Sequence, residues 1–214
     1  MTQWHYESFE NQFLNKASEL TSEVKDPSHD LLHIKRVVKL AKYLATIEKA
    51  NLDIVVPASY FHDFVQLPKN HPERKKASQL SADAALEYLE SIHYPKIFFE
   101  QIKDAIKSHS YSAGIPATSI ESKIVQDADR LDAVGSIGIS RCFTVSALLA
   151  RPYYSENDPF CLARSPDDST YTIDHFYKKL LVICDTMQTV TAQAIAAQRK
   201  QFMLSFLEQL KNEI

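Results

Sequence analysis

The spacing of apolar residues is the feature that most limits how this chain can fold. Along most of its length these residues recur every three or four positions, which is the period of amphipathic helices rather than of strands. The first such series is Phe9, Phe13, Ala17, Leu20 and Val24. Only three glycines occur in 214 residues, which fits a chain of helices better than a sheet and excludes a glycine-rich phosphate loop. The sequence therefore predicts an all-α fold.

Capping residues and prolines predict where the helices begin and end. Asp30 can cap a helix that runs to about Ala50. The next helix is predicted from Asp53 through Val65, where Pro68 stops it. Further helices are expected from Ala77 to Leu89, from Pro95 to about His109, from Ser119 or Glu121 to Ala133, and then to Ala150.

The whole chain, residues 1–214, is predicted to be a single domain. Its length lies within the range of ordinary domains, and 45% hydrophobic residues are enough for a sizeable core. Residues 151–171 contain three prolines and few periodic apolar residues. They predict an irregular excursion, followed by two closing helices.

Charge and cysteine content limit the partners of this chain. A net charge of −3 provides no overall attraction to nucleic acid or anionic lipid, so we expect neither nucleic acid nor a membrane as partner. Cys142, Cys161 and Cys184 show no CxxC spacing, which indicates reduced thiols. The N-terminus does not have the pattern of a signal peptide. We therefore expect a cytoplasmic monomer or homodimer that acts on a small molecule.

Four side chains form a candidate metal site: His33, His62, Asp63 and Asp129. Apolar neighbours turn their predicted helix faces inward, so the four can converge inside a bundle. Two imidazoles and two carboxylates suit one manganese, magnesium, nickel or iron ion better than a structural zinc ion. Such an ion polarises a phosphoryl oxygen and lowers the pKa of its bound water from about 16 towards 7. Taken singly, each residue is more often a core histidine or a solvated helix charge.

The order of these motifs resembles that of the HD-domain superfamily of metal-dependent phosphohydrolases. His33, ASYFHDFV and IVQDADRLDAVGSIG are similar to its H…HD…D signature. LPKNHPERKKAS, KSHSYSAG and DHFYKKLL extend the resemblance over nearly the whole chain, to small stand-alone bacterial HD proteins of the YedJ type. The resemblance implies a helical bundle with the metal in its core. It further implies a nucleotide pyrophosphohydrolase, in which metal-bound hydroxide releases pyrophosphate from a nucleoside or deoxynucleoside triphosphate.

The same motifs suggest roles for residues around the metal. Asp129, directly before Arg130, matches the superfamily ligand, and Asp127 is expected to orient a histidine. His109 is expected to be a general acid or a phosphate ligand, or else a helix-end histidine that interacts with the dipole. A polyphosphate also needs cations beyond the metal. The predicted substrate contacts are Arg36, Lys69, His71 and Lys179.

Three alternatives share this fold and part of this site. A phosphodiesterase, a nucleotidase or a guanosine tetraphosphate hydrolase would use nearly the same ligands. A two-iron oxygenase would need more histidines, and His71, His93 and His109 do not form a clean two-histidine insertion. A nucleotide-binding module without turnover is the third alternative, against which the complete set of four ligands argues.

Overall fold

The computed structural model describes residues 5–22, 30–67, 71–110 and 113–214. Over these residues the secondary structure is helical and contains no strand, which confirms the all-α prediction. The chain divides into two compact units, the first ending at Asp129 and the second comprising Arg130–Ile214. That the chain is a single domain stays a prediction. No single helix among the described residues is long and apolar enough to cross a bilayer. One pair of helices in this part of the chain, Ile120–Asp132 and Gly135–Leu148, passes the length and hydropathy test when the two are counted together across a bend.

Side chains cap the starts of three helices in the first unit. Asp30 accepts a hydrogen bond from the backbone N–H of His33 (2.8 Å), as predicted. Asn51 caps the next helix, and Ser119 accepts from the N–H of Ser122 (3.0 Å). The helices are α1 (Glu10–Thr21), α2 (Leu31–Glu48), α3 (Leu52–Phe61), α4 (Ala77–Ser91), α5 (Phe99–His109) and α6 (Ile120–Asp132), the last of which continues past Asp129.

The core of this unit forms around α3. Every residue from Ile54 to Phe61 is buried, so the helix is enclosed on all faces. Phe13 of α1 is fully buried, and its ring centroid lies 5.5–5.7 Å from those of Tyr60, Phe61 and Tyr94. Aromatic pairs at such distances add to the free energy of burial. The end of α3 is therefore held by a rigid core.

The prediction that α3 extends through Val65 is wrong. The helix ends at Phe61, and His62 and Asp63 lie in the turn that follows. The Ser81 hydroxyl of α4 accepts the Val65 N–H (3.0 Å) and donates to the Val65 carbonyl (3.3 Å). These bonds satisfy the backbone polar groups that a longer helix would have paired.

The second unit contains α7 (Gly135–Leu148), a π-helical turn (Phe176–Leu180), α8 (Leu181–Cys184) and α9 (Val190–Lys211). Residues 151–171 contain no helix. This irregular segment is anchored by Asp174, which is fully buried and binds both terminal nitrogens of the Arg164 guanidinium, one of them at 2.7 Å. Asp158 accepts from the backbone N–H groups of residues 162–164 at 2.8–3.1 Å.

Candidate metal centre

Two buried histidines face each other where α2 begins and α3 ends. His33 lies in the first turn of α2, His62 closes α3, and both are 0% exposed. Their Nε2 atoms are 3.3 Å apart. If neither Nε2 carries a proton, no hydrogen bond joins the two rings, and their lone pairs face and repel each other. A cation between them would remove that repulsion.

The hydrogen bonds of the imidazole Nδ1 atoms fix the tautomers of two histidines. His62 Nδ1 lies 2.9 Å from the carbonyl oxygen of Ser59, and His109 Nδ1 lies 2.6 Å from that of Ile106. A carbonyl only accepts, so each Nδ1 carries a proton and donates it. In the neutral ring Nε2 then presents a lone pair, which is the form that binds a metal.

Two carboxylates complete the cluster. Asp129 Oδ1 lies 3.6 Å from His33 Nε2 and 3.8 Å from His62 Nε2. The two oxygens of Asp63 reach different histidines: Oδ2 is 3.6 Å from His62 Nε2, and Oδ1 is 3.5 Å from His109 Nε2. The side chains of Asp63 and Asp129 are 22% and 28% exposed, so the carboxylates form the open side of a cluster whose histidines are buried.

The spacing of these donor atoms fits a metal ion. Nitrogen and oxygen ligands about 2.0–2.2 Å from one ion, at angles between square and tetrahedral, lie about 2.8–3.6 Å apart. The observed separations of 3.3–3.8 Å reach this range with shifts of a few tenths of an ångström. Two trios could hold an ion, His33 with His62 and Asp129, and His62 with Asp63 and His109. Because the trios share His62, they form one continuous cluster.

Burial and neighbouring charges shift the pKa values of the cluster. Burial lowers the pKa of His62, partly countered by the charge of Asp63, which favours the neutral ring. For His109, burial acts downwards, but the hydrogen bond to Asp63 and the charges of Asp63 and Asp129 outweigh it and raise the pKa. Burial acts upwards on Asp129, yet the neighbouring histidines lower its pKa. These shifts favour an ionised Asp129 and make His109 more readily protonated than His62.

Comparison with known proteins identifies the family. The HD domain family model matches residues 31–134. An uncharacterized protein of Bacillus subtilis, YpgQ, is 33% identical over 186 residues, which are 87% of this chain and 84% of YpgQ. This chain belongs to the HD-domain family.

Solved structures of HD proteins agree with this assignment. A crystal structure of Bacillus subtilis YpgQ in complex with ADP is similar with a TM-score of 0.75 at 33% identity, over 95% of this chain and 94% of that one. An HD-superfamily hydrolase from Bacillus thuringiensis gives a TM-score of 0.76 at 29% identity, over 98% of both chains. The prediction of a metal-dependent phosphohydrolase of the HD superfamily is confirmed at this level. The narrower YedJ type is not tested by these relatives.

Three of the predicted ligands, His33, His62 and Asp129, form one donor trio, and the fourth, Asp63, is joined to them through His62 in the trio that contains His109. All five lie within the segment that the HD family model matches. Asp127, also expected to act at the site, is fully buried on α6, two residues before Asp129. Its role in orienting a histidine stays a prediction.

The predicted substrate contacts lie in several places. Arg36 is partly buried on α2, three residues after His33. His71 is partly buried, and its Nδ1 accepts the backbone N–H of Glu73 at 3.1 Å. Lys69 lies outside the described residues, and Lys179 belongs to the π-helical turn of the second unit. Their contacts with substrate stay predictions.

From the sequence, one possible role at the site was set aside and one residue was missed. His109 was expected to act on the substrate, and its distance to Asp63 also makes it a possible metal ligand. Gln126 is buried on α6 and donates to the carbonyl of Ser108, next to His109. The available signal was a polar residue inside IVQDADRLD on a helix face that must be buried.

Proposed function

We propose that this HD protein is a nucleotide pyrophosphohydrolase, which cleaves nucleoside or deoxynucleoside triphosphates to the monophosphate and pyrophosphate. One divalent ion would be held by His33, His62, Asp63 and Asp129. The observation that carries the proposal is the cluster of imidazole and carboxylate donors 3.3–3.8 Å apart, open on its carboxylate side. The ADP bound by the related YpgQ supports a nucleotide as the ligand.

The ligand set defines what the chain contributes to the ion. The buried rings of His33 and His62 would each offer a nitrogen lone pair, and the two carboxylates would balance the double charge of the ion. A bound ion of this kind supplies Lewis acidity towards a phosphoryl oxygen and activates water at neutral pH. Its open side would be the carboxylate side, where substrate can enter.

His109 is the proposed proton donor to the leaving phosphate oxygen. Its Nδ1 proton is committed to the Ile106 carbonyl, so the proton at Nε2 is the one available for transfer. Without a metal, burial acts to lower the pKa of this ring, but the hydrogen bond to Asp63 and the charges of Asp63 and Asp129 outweigh burial and raise it. Asp63, 3.5 Å away, stabilises the charged ring before transfer. An acid whose pKa lies near the working pH is the most effective donor.

Cations are proposed to bind the remaining phosphate charge. Arg36 follows His33 by about one helical turn, so its guanidinium starts from nearly the same face of α2. Lys69 and His71 follow the His62–Asp63 turn along the chain. Lys179 is the fourth candidate, and Asp127 is proposed to orient a histidine. Guanidinium and ammonium groups bind phosphate through charge-assisted hydrogen bonds.

Product analysis with matched variants tests the proposal. The metal-stripped protein is incubated with a panel of triphosphates and manganese, magnesium, nickel or iron, and the products are separated by anion exchange. Asp63→Asn keeps the shape of the side chain but removes its charge. Asp185→Asn is the control, because Asp185 is exposed in the second unit and pairs with Lys200. We expect monophosphate and pyrophosphate from the wild type and the control, and neither from Asp63→Asn.

Other products would identify other reactions. Diphosphate with inorganic phosphate, or turnover only of monophosphates or diesters, would keep the site and reject pyrophosphohydrolysis. Absence of turnover with every metal, from a folded protein that binds nucleotide, would favour a binding module.

The second donor trio makes metal stoichiometry informative. His62, Asp63 and His109 lie close enough to hold an ion of their own. We expect one ion per chain, because His62 can give its single Nε2 lone pair to only one ion at a time. Two ions per chain, measured by elemental analysis after dialysis, would contradict the single-ion site. Two iron ions with oxygen-dependent turnover would favour the oxygenase.

A further inference from the structure

We propose that Gln126 is a positioning residue for His109, an inference that rests on the role proposed for His109 above. Gln126 lies on α6 with only 3% of its surface exposed. Its side-chain Nε2 donates to the backbone carbonyl of Ser108 at 2.6 Å. Ser108 and His109 are the last two residues of α5, so this bond joins α6 to the end of the helix that presents the imidazole.

The end of α5 needs such a partner. The last carbonyls of a helix have no partner within the helix, and Ser110 leaves it in an extended conformation. A buried carbonyl without a donor costs about 1–3 kcal/mol. The Gln126 amide supplies a donor, and because a carbonyl only accepts, the NH₂ end of the amide must face it.

This bond constrains His109 through the backbone. The carbonyl of Ser108 and the backbone nitrogen of His109 belong to one planar peptide group. A hydrogen bond that fixes the carbonyl therefore also restricts the orientation of the peptide plane from which His109 extends. The imidazole is held at its other end by the bond from Nδ1 to the Ile106 carbonyl. With both ends held, Nε2 points at Asp63 Oδ1, 3.5 Å away.

Helix α6 connects the end of α5, where His109 lies, to the proposed metal ligand Asp129. Asp129 follows Gln126 by three residues on the same helix, which is slightly less than one turn. One rigid element therefore carries a proposed metal ligand and also the amide that holds the proposed proton donor. A displacement of about 1 Å at a reacting group can lower the rate about 100-fold, so such a constraint matters for turnover.

The test compares two glutamines that make the same kind of bond. Gln126→Met keeps the length of the side chain but removes the donor. Gln193→Met is the control for loss of the same type of bond away from the site, because the exposed Gln193 donates through Nε2 to the Met187 carbonyl at 3.0 Å in the second unit. With saturating metal and triphosphate, we expect Gln126→Met to lower kcat about 10-fold or more, with KM changed less than about 2-fold. The control should change neither constant.

A double-mutant cycle shows whether Gln126 acts through His109. If it does, Gln126→Met changes kcat less than about 2-fold once His109 is already alanine. Additive losses, or a loss of stability without a change in kcat, would overturn the proposal. If Gln126→Met does not fold, Gln126→Asn, which keeps the amide but shortens its reach, replaces it in the same cycle.

A measurement on the metal-free protein separates this inference from the proposed function. Long-range ¹H–¹⁵N spectra report the tautomer of each imidazole. We expect one tautomer of His109, protonated at Nδ1 when neutral, in the wild type and in Gln193→Met, and a mixture of tautomers in Gln126→Met. Unchanged His109 signals in Gln126→Met would reject the positioning role. A wild type without turnover would reject the proposed function, while the spectra would still decide on Gln126.

Discussion

Replacing Asp129 by asparagine should uncouple metal binding from the stability of the protein. Asp129 Oδ1 lies 3.6 and 3.8 Å from the Nε2 atoms of His33 and His62, so an ion bound by both histidines would also meet this carboxylate. Asparagine has nearly the same shape, but it removes one of the two negative charges and one of the four proposed donors. The loss should therefore appear in metal affinity rather than in packing.

The size of the effect follows from linkage between binding and folding. Metal at 100 times its dissociation constant stabilises the folded state by about 2.7 kcal/mol. For a chain of about 200 residues this raises Tm by roughly 5–11 °C. Partners outside the ligand shell already change metal affinity by about 10–100-fold, so we expect a lost ligand to cost at least about 100-fold. At the same metal concentration the variant would then gain only about 0.4 kcal/mol, which is roughly 1–2 °C.

Thermal unfolding of the metal-stripped proteins, with and without manganese, measures this difference. Each variant is compared with its own metal-free form, so that any direct effect of the substitution on folding cancels. Asp185→Asn, which removes an exposed carboxylate in the second unit, should keep the full rise in Tm. A metal-dependent rise in Asp129→Asn equal to that of the wild type would refute the assignment of Asp129 as a ligand.

Two further predictions concern the Asp174 carboxylate and two glycines. Asp174→Asn should cost about 1–3 kcal/mol at pH 7, because it weakens the ion pair between the buried Asp174 carboxylate and the partly exposed Arg164 guanidinium. This pair lowers the pKa of Asp174 against the effect of burial, so its stabilisation is present above the unfolded pKa of about 3.9 and is lost as the pH falls through the folded value. Urea unfolding should therefore show a smaller difference from the wild type at pH 3, below the unfolded pKa, than at pH 7. Gly138→Ala should cost about 3 kcal/mol in the same assay, because the added Cβ would lie 2.3 Å from the carbonyl oxygen of Ala133. Gly114→Ala should cost only about 1–2 kcal/mol, because the space around Gly114 is open and only its left-handed backbone conformation opposes a side chain.

Local sequence signals were sufficient for the helices and for their beginnings. The cap at Asp30 and the apolar series of α2 together place His33 in a buried first turn, as the structure has it. Both signals act over a few residues and do not depend on the rest of the fold. The H…HD…D order added the family and the four candidate ligands.

Features that depend on distant parts of the chain could not be predicted in this way. The end of α3 is set by Ser81, which lies 16 residues beyond Val65 and supplies its hydrogen bonds. The sequence placed His109 at the end of a helix, but its approach to Asp63 follows from how α5 packs on α3. The bond from Gln126 to Ser108 spans 18 residues and likewise depends on packing.

The exposure of the carboxylates in the cluster predicts the order in which the metal ion and the nucleotide bind. The histidines are buried, whereas Asp63 and Asp129 are its partly exposed members, and the lowered pKa of Asp129 keeps it ionised. The carboxylates therefore repel a triphosphate that approaches the metal-free site. A cation bound at the site removes this repulsion. We expect calorimetry with a non-hydrolysable triphosphate to show at least about 10-fold weaker binding to the metal-free protein, since about 1.4 kcal/mol of repulsion suffices for that factor. In Asp63→Asn the metal-free protein should bind the nucleotide more tightly than the metal-free wild type does, because one repelling charge is gone. Weaker or equal binding by this variant would show that the carboxylates do not control access to the site.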